Sequence, residues 1–319
     1  MTIGLAIEAA TNRHMLDVDG MSRLEIERIL DRAVEMRAAR AARAAREHRS
    51  LLERETVGLA FYEASTRTRV SFELAAKALG ATVVDLGIAG SSVVKGESLV
   101  DTLRTLERTG VTTLVLRHPA SGAPYLAARA TGMSVVNAGD GMHAHPTQAL
   151  LDALTLREAL GPLDGRTVAI IGDVAHSRVA RSNLHSLVTL GAQVRVAGPA
   201  EWAEGFGTWS GVAVAPSLED AVRGADAVMT LRVQVERLST EVTDFSLADY
   251  IRAWRLDEPR MRLAAPLAPV LHPGPTNEGV EITSELANGP RSLIGRQVEN
   301  GVPVRMAVLA AAAGMPGVA

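Results

Sequence analysis

Phe61-Tyr62-Glu63-Ala64-Ser65-Thr66-Arg67-Thr68-Arg69 marks the point where one sequence pattern gives way to another. The apolar residues from Val57 to Tyr62 lead into it and read as a buried strand. Beyond it, Val70 to Leu79 follows a helical pattern that stops at Gly80. The hydroxyls and arginines therefore fall at a strand-to-helix junction. There, free backbone N–H groups and the positive end of the helix dipole make a site for an anion. Ser65, Thr66 and Thr68 add hydroxyl donors, and Arg67 and Arg69 add cations of the kind that surround phosphate. A serine before a helix is equally the pattern of an N-cap. Arginine in a first turn opposes the helix dipole, and that placement makes better sense if an anion lies there too.

The same alternation runs through nearly the whole chain. Strand patterns cover 57–62, 82–86, 112–116, 134–137, 167–171, 193–197, 226–231 and 269–271. Helical patterns cover 22–49, 66–79, 98–109, 121–131, 146–160, 177–190, 217–223, 246–253 and 291–312. Runs such as Val168-Ala169-Ile170-Ile171 are continuously apolar, as expected for parallel strands covered on both faces. The expected fold class is α/β with parallel sheets. In such sheets ligands bind in the loops at the carboxyl ends of strands. The 319 residues suggest two domains at roughly 150 residues each. The expected boundary lies where a long helix follows His145-Pro146, giving domains 1–145 and 146–290. The final helix, 291–312, is expected to pack back on the first.

Composition narrows the function classes. At 47% hydrophobic residues and a net charge of −3, the chain reads as soluble and globular, with no general charge reason to bind nucleic acid. With no cysteine, disulfides, thiolate metal sites and a cysteine nucleophile are excluded. No signal-peptide pattern opens the sequence, and no apolar run reaches the ~20 residues of a membrane span, so a cytoplasmic location is expected. From Arg37 to Arg49 arginine recurs every third residue. That stripe spirals around a helix and reads as a solvated face rather than a partner contact.

Other polar clusters follow the strand patterns. Ser91-Ser92-Val93-Val94-Lys95-Gly96-Glu97 reads as a loop presenting an ammonium group, or as an exposed loop lysine; it is not a Walker loop. Arg117, after strand 112–116, is placed to meet an oxyanion or a carbonyl oxygen, or is an ordinary strand-end arginine. His143 and His145 stand two residues apart without the His-Glu-x-x-His pattern, which argues against a metal. Pro146 suits a first helical turn, so His145 and Gln148 lie together at that helix start, able to face one ligand. A helix start disfavours imidazolium, and a neutral His145 can donate to a carbonyl oxygen; capping is the alternative. Arg178 opens the helix after strand 167–171 and suits a carboxylate, or is simply exposed. Arg232, Gln234 and Glu236 alternate on one side of an extended segment after strand 226–231, as in a substrate loop or a plain polar face. His272-Pro273-Gly274-Pro275 reads as a turn whose rigidly held carbonyls suit the N–H groups of a ligand, or as a plain structural turn.

Taken together and in this order, over roughly residues 60 to 310, these motifs resemble the catalytic chains of the aspartate carbamoyltransferase family. The resemblance implies two doubly wound parallel-sheet domains joined by helices, the first binding carbamoyl phosphate and the second L-aspartate. It implies a homotrimer with active sites shared between subunits, and no cofactor and no metal. By motif position Ser65, Thr66, Arg67 and Thr68 look like the phosphate loop. Arg117, His145 and Gln148 look like carbamoyl ligands, and Gly274 and Pro275 like the backbone carbonyls that hold the carbamoyl amide. Lys95, with Ser91 or Ser92, looks like the loop of a neighbouring subunit. Arg178, Arg232 and Gln234, with Lys95, look like the aspartate site. The implied catalytic set is Arg67, Thr68, Lys95, Arg117 and His145. Partners of the family that the sequence leaves open are regulatory chains and dihydroorotase.

Two rivals stand beside this reading. Ornithine carbamoyltransferases share the phosphate-side motifs but carry a cysteine in the His-x-x-Pro turn, where this chain has Gly274. A non-catalytic homologue acting as an assembly partner would have lost phosphate-loop or carbamoyl ligands, and none is lost here. A nicotinamide-dependent dehydrogenase lacks support because Gly-x-Gly-x-x-Gly is missing. One departure is Glu278, where many family members carry arginine.

Overall fold

Two five-stranded parallel sheets, each with its own helices, organise the chain. The computed structural model describes residues 14–41, 50–86, 98–233 and 246–314. The chain divides into two compact units, one comprising 1–17, 27–141 and 302–319, the other 18–26 and 142–301.

In the first unit the strands are β1 (His14–Met15), β2 (Thr56–Phe61), β3 (Thr82–Leu86), β4 (Thr113–His118) and β5 (Ser134–Asp140). Their order across the sheet is β1-β5-β4-β2-β3. The helices are α1 (Arg23–Ala41), which begins in the other unit, α2 (Thr66–Ala78), α3 (Leu99–Arg108) and α4 (Ala123–Ala130). The chain leaves β2 toward β3 on one side, then crosses back to lay β4 on the other. That reversal makes the gap between the β2 and β4 carboxyl ends a topological switch point, where open α/β sheets bind ligands. Leu103, Leu114, Leu116, Met133 and Val135 fill the core between this sheet and its helices.

The second unit repeats the plan. It begins with α5 (Pro146–Leu160), followed by β6 (Thr167–Ile171), α6 (Arg178–Thr189), β7 (Gln193–Ala197), α7 (Ala200–Ala203), β8 (Val212–Val214), α8 (Leu218–Val222), β9 (Ala227–Thr230) and, later, β10 (Val270–Leu271). The order β10-β9-β6-β7-β8 puts its switch point between β6 and β9. Every residue of β6 is buried, in keeping with its continuous apolar run. Residues Pro146 to Leu156 of α5 are all buried, so this helix is covered on every side rather than along one stripe.

The expected alternation is present, and the fold class is two parallel-sheet α/β domains. The elements that the sequence patterns leave out are short. β1 and β8, of two and three residues, are edge strands of their sheets. So few residues carry no period of their own, and the neighbouring strand supplies the order. β5 runs on through Asn137 to Asp140, past the expected end at 137. Its polar residues tolerate burial because Asn137 Nδ2 donates to Asp140 and to the Leu16 carbonyl, and Asn137 Oδ1 accepts from Gly139 N–H. The arginine-striped helix is described only to Ala41. No helix among the described residues is long and apolar enough to cross a membrane.

Candidate active site

The β2–α2 junction stands at the first switch point. Ser65 occupies the N-cap position of α2, yet its side chain makes no capping bond. Ser98, Ser177, Ser217 and Ser246, at the starts of other helices, each accept a backbone N–H with their hydroxyl. The first turn of α2 holds no acidic residue. Its orphan N–H groups and the dipole thus face a side where Ser65, Thr66 and Arg67 stand. Among the described residues, Arg67 has no side-chain partner, and it is exposed. Thr68 is buried. Arg69 is engaged elsewhere, in an ion pair with Asp85 on β3.

Arg117 meets this junction from β4. It pairs in register with Phe61, and its carbonyl accepts the Tyr62 N–H at 2.9 Å. Its guanidinium lies 3.3 Å, Nε to Oε2, from Glu63 in the same loop. It also reaches the Ala138 carbonyl at 3.4 Å. The neighbouring His118 packs on Tyr62 with ring centroids 4.8 Å apart, and its Nδ1 accepts from Ala120 N–H. Burial pushes the His118 pKa down, which keeps the ring neutral beside the arginine.

In the second unit, Arg178 and Arg232 follow β6 and β9, the two strands that flank the second switch point. Leu231 N–H donates to the Ile171 carbonyl at 2.9 Å, which ties the two strand ends together. Gly172 lies at this crossing with φ +121, and a Cβ there would stand 2.9 Å from the Tyr250 hydroxyl. Arg178 is buried to 9% exposure as the first residue of α6.

His145 is the N-cap of α5, Pro146 is its first residue, and Gln148 follows. The His145 backbone N–H donates to Ser182 Oγ on α6 at 2.9 Å, which positions the helix start. Gln148 Nε2 donates to the buried Asp152 at 2.9 Å. His272 follows β10, and the Gly274–Pro275 bond is cis, with Gly274 N–H donating to His272 Nδ1 at 2.8 Å. His272 Nε2 faces buried Glu281 at 3.1 Å. Glu278 is exposed and accepts the Ser284 hydroxyl at 2.6 Å.

The structure thus groups Ser65 to Thr68 with Arg117, and Gln148 with the 272–275 turn through Asp152 and Gln297, while Arg178 and Arg232 follow the two strands that flank the second switch point. Ser91, Ser92, Lys95 and Gln234 lie outside the described residues. Glu63, Asp152 and Gln297 carry no local sequence pattern that marks them for a site. Glu63 stood in the quoted loop, but its partner is 54 positions away and no local pattern announces it. No group of three or more histidine or carboxylate side chains suited to a metal occurs among the described residues.

Residues 13–158 match the family described as Aspartate/ornithine carbamoyltransferase, carbamoyl-P binding domain, and residues 164–312 match the Asp/Orn binding domain of the same family. The chain belongs to the aspartate/ornithine carbamoyltransferase family. It is 52% identical over 298 residues to the aspartate carbamoyltransferase catalytic subunit of Sorangium cellulosum, covering 93% of this chain and 92% of that one. Its fold is similar to that of aspartate transcarbamoylase from Trypanosoma cruzi in complex with carbamoyl aspartate and phosphate. There the TM-score is 0.83 at 32% identity, over 93% of this chain and 95% of that one. Ornithine carbamoyltransferase from Thermus thermophilus superposes as well, with a TM-score of 0.82 at 29% identity over 94% and 98% of the two chains. Backbone shape is therefore common to both branches of this carbamoyltransferase family and does not separate the acceptor amines. Within the family frame α5 is notable: by sequence it belongs to the carbamoyl-P segment, by packing to the second unit.

Proposed function

We propose that this carbamoyltransferase transfers the carbamoyl group of carbamoyl phosphate to the α-amine of L-aspartate, giving N-carbamoyl-L-aspartate and phosphate. The observation that carries the choice of amine is that Arg178 and Arg232 follow β6 and β9, the strands flanking the second switch point. Two cations, Arg178 and Arg232, match the two carboxylates of aspartate, whereas ornithine brings a cationic side chain that they would repel. The identity of 52% to a relative named as an aspartate carbamoyltransferase supports the same choice.

In this reading, the first turn of α2 with Ser65, Thr66, Arg67 and Thr68 binds the phosphoryl group of carbamoyl phosphate. Arg117, His145 and Thr68 donate to the carbamoyl oxygen, where negative charge grows as the amine attacks. Gln148 and the carbonyls of Gly274 and Pro275 accept from the carbamoyl NH2 group. The amine nitrogen bonds to the carbamoyl carbon, the bond from that carbon to the phosphate oxygen breaks, and the phosphate leaves with the electron pair. The departing phosphate takes the proton from the attacking amine, so no protein base is required. Arg67 neutralises the leaving group, and the aspartate-side arginines hold the amine in line.

The reading extends to a cytoplasmic homotrimer serving pyrimidine formation, in which Lys95, with Ser91 or Ser92, reaches a neighbouring subunit's site, and Lys95 and Gln234 contact aspartate. Carbamoyl transfer to aspartate and to ornithine, assayed in parallel, tests the acceptor: aspartate turnover with no ornithine turnover is expected, and the reverse overturns it. Mixing inactive Lys95→Ala chains with inactive Arg67→Ala chains tests the sharing. Regained activity is expected, and none would show that each chain works alone.

A further inference from the structure

The α5 helix carries a carboxylate that is wholly buried and collects side-chain amides. Asp152 is 0% exposed. Its Oδ1 accepts from Gln148 Nε2 at 2.9 Å and from Gln297 Nε2 at 2.7 Å. Its Oδ2 accepts from Asn183 Nδ2 on α6 at 2.9 Å. Three primary amides thus converge on one carboxylate. Burying an ionised group is costly unless it is well hydrogen-bonded, so the arrangement calls for a reason.

The chemistry of the carboxylate supplies one. An ionised carboxylate only accepts, whereas a side-chain amide donates at one end and accepts at the other. Each amide that touches Asp152 must therefore turn its NH2 end inward and its oxygen away. For Gln297 the outcome is visible, because its Oε1 accepts the His272 N–H at 3.0 Å. His272 in turn fixes Gly274 through the 2.8 Å bond from Gly274 N–H to Nδ1. For Gln148 the oxygen is left over, and no donor among the described residues reaches it.

We propose that Asp152 is a positioning residue that orients the Gln148 amide, so that its oxygen, not its NH2, meets the carbamoyl NH2 group of the substrate. The inference rests on the reading of Gln148 as a carbamoyl ligand. Through Gln297 and His272 the same carboxylate braces the Gly274–Pro275 turn, so both sets of acceptors for that NH2 are keyed to one buried group. A carbamoyl group differs from an acetyl group by presenting NH2 in place of methyl. Asp152 therefore acts in telling a carbamoyl phosphate from its methyl isostere.

The test measures binding of carbamoyl phosphate, acetyl phosphate and inorganic phosphate to the full-length protein and its variants by calorimetry. Asp152→Asn supplies a donor where the carboxylate had none and frees Gln148 to flip. It is expected to weaken carbamoyl phosphate by about tenfold, as for one lost oriented hydrogen bond, and the other two by less than about twofold. Equal weakening of all three, or no change, overturns the proposal. Gln148→Ala separates the two layers. If it singles out carbamoyl phosphate while Asp152→Asn does not, only the positioning role fails. If it fails to single out carbamoyl phosphate, the reading of Gln148 fails and the proposal with it. Should Asp152→Asn not fold, the wild-type protein decides by NMR hydrogen exchange of the Gln148 side-chain amide, assigned with Gln148→Ala. Slow exchange of its protons is expected, and free exchange overturns the orientation.

Discussion

Glu63 Oε2 lies 3.3 Å from Arg117 Nε, with the two side chains 16% and 15% exposed. The pair joins the loop after β2 to the end of β4, across the first switch point. A carboxylate so placed fixes where the guanidinium points before substrate arrives. Glu63→Gln keeps the shape and removes the charge. It should lower kcat/KM by about tenfold, against about a thousandfold for Arg117→Ala. Steady-state kinetics checks both, and an unchanged Glu63→Gln enzyme would show the pair to be incidental.

Ser65 and Ser98 occupy the same helix position and do different things. Ser98 Oγ accepts the Asp101 N–H, whereas Ser65 makes no such bond. Ser98→Ala should cost about 1 kcal/mol of stability in urea unfolding. Ser65→Ala should cost less than about 0.5 kcal/mol and instead raise the KM for carbamoyl phosphate several-fold. A normal capping penalty at Ser65 would contradict the anion reading.

The two arginines of the phosphate loop should separate in the same way. Arg67→Ala removes a cation that no described residue engages, and kcat should fall by about a hundred- to a thousandfold with the melting temperature unchanged. Arg69→Ala removes an exposed pair with Asp85, worth about 0–1 kcal/mol, and should keep most of the activity. Full activity in the Arg67 variant would overturn the site.

His118 gives a pH dependence of known sign. Burial holds its folded-state pKa below the usual histidine value of about 6.5. As pH falls below that value the unfolded chain takes up the proton and the folded one does not, so the unfolded state gains. Stability from this group is present above about pH 6.5 and is lost toward the lowered folded pKa. Urea midpoints at pH 7.5 and 5.5 should fall less in His118→Gln than in the parent, and an equal fall would place the pH effect elsewhere.

The readings that needed only neighbouring residues were legible. Val168 to Ile171 announced a buried parallel strand, and Pro146 announced the start of α5, because apolar runs and proline act over a few positions. The pairing of Arg69 was not legible. Its partner Asp85 belongs to a different strand, and nothing within the loop distinguishes a bracing arginine from a binding one. The same holds for Asp152. An aspartate on a helix reads as surface charge, and only the packing of α5 and α6 and the helix Ile294–Ala312 reveals a buried acceptor of three amides.

The amino-acid sequence alone determined the α/β alternation, and which polar residues stand at the ends of strands, since both are written in local periodicity and in chain order. Tertiary structure alone decided which strand ends meet, β2 with β4 and β6 with β9, because strand order follows from how whole sheets bury their faces. It also decided that Ser65 does not cap its helix, and that Gln297 reaches Asp152 across 145 positions of chain. Those facts depend on the three-dimensional closeness of residues far apart in sequence, which no short-range pattern encodes.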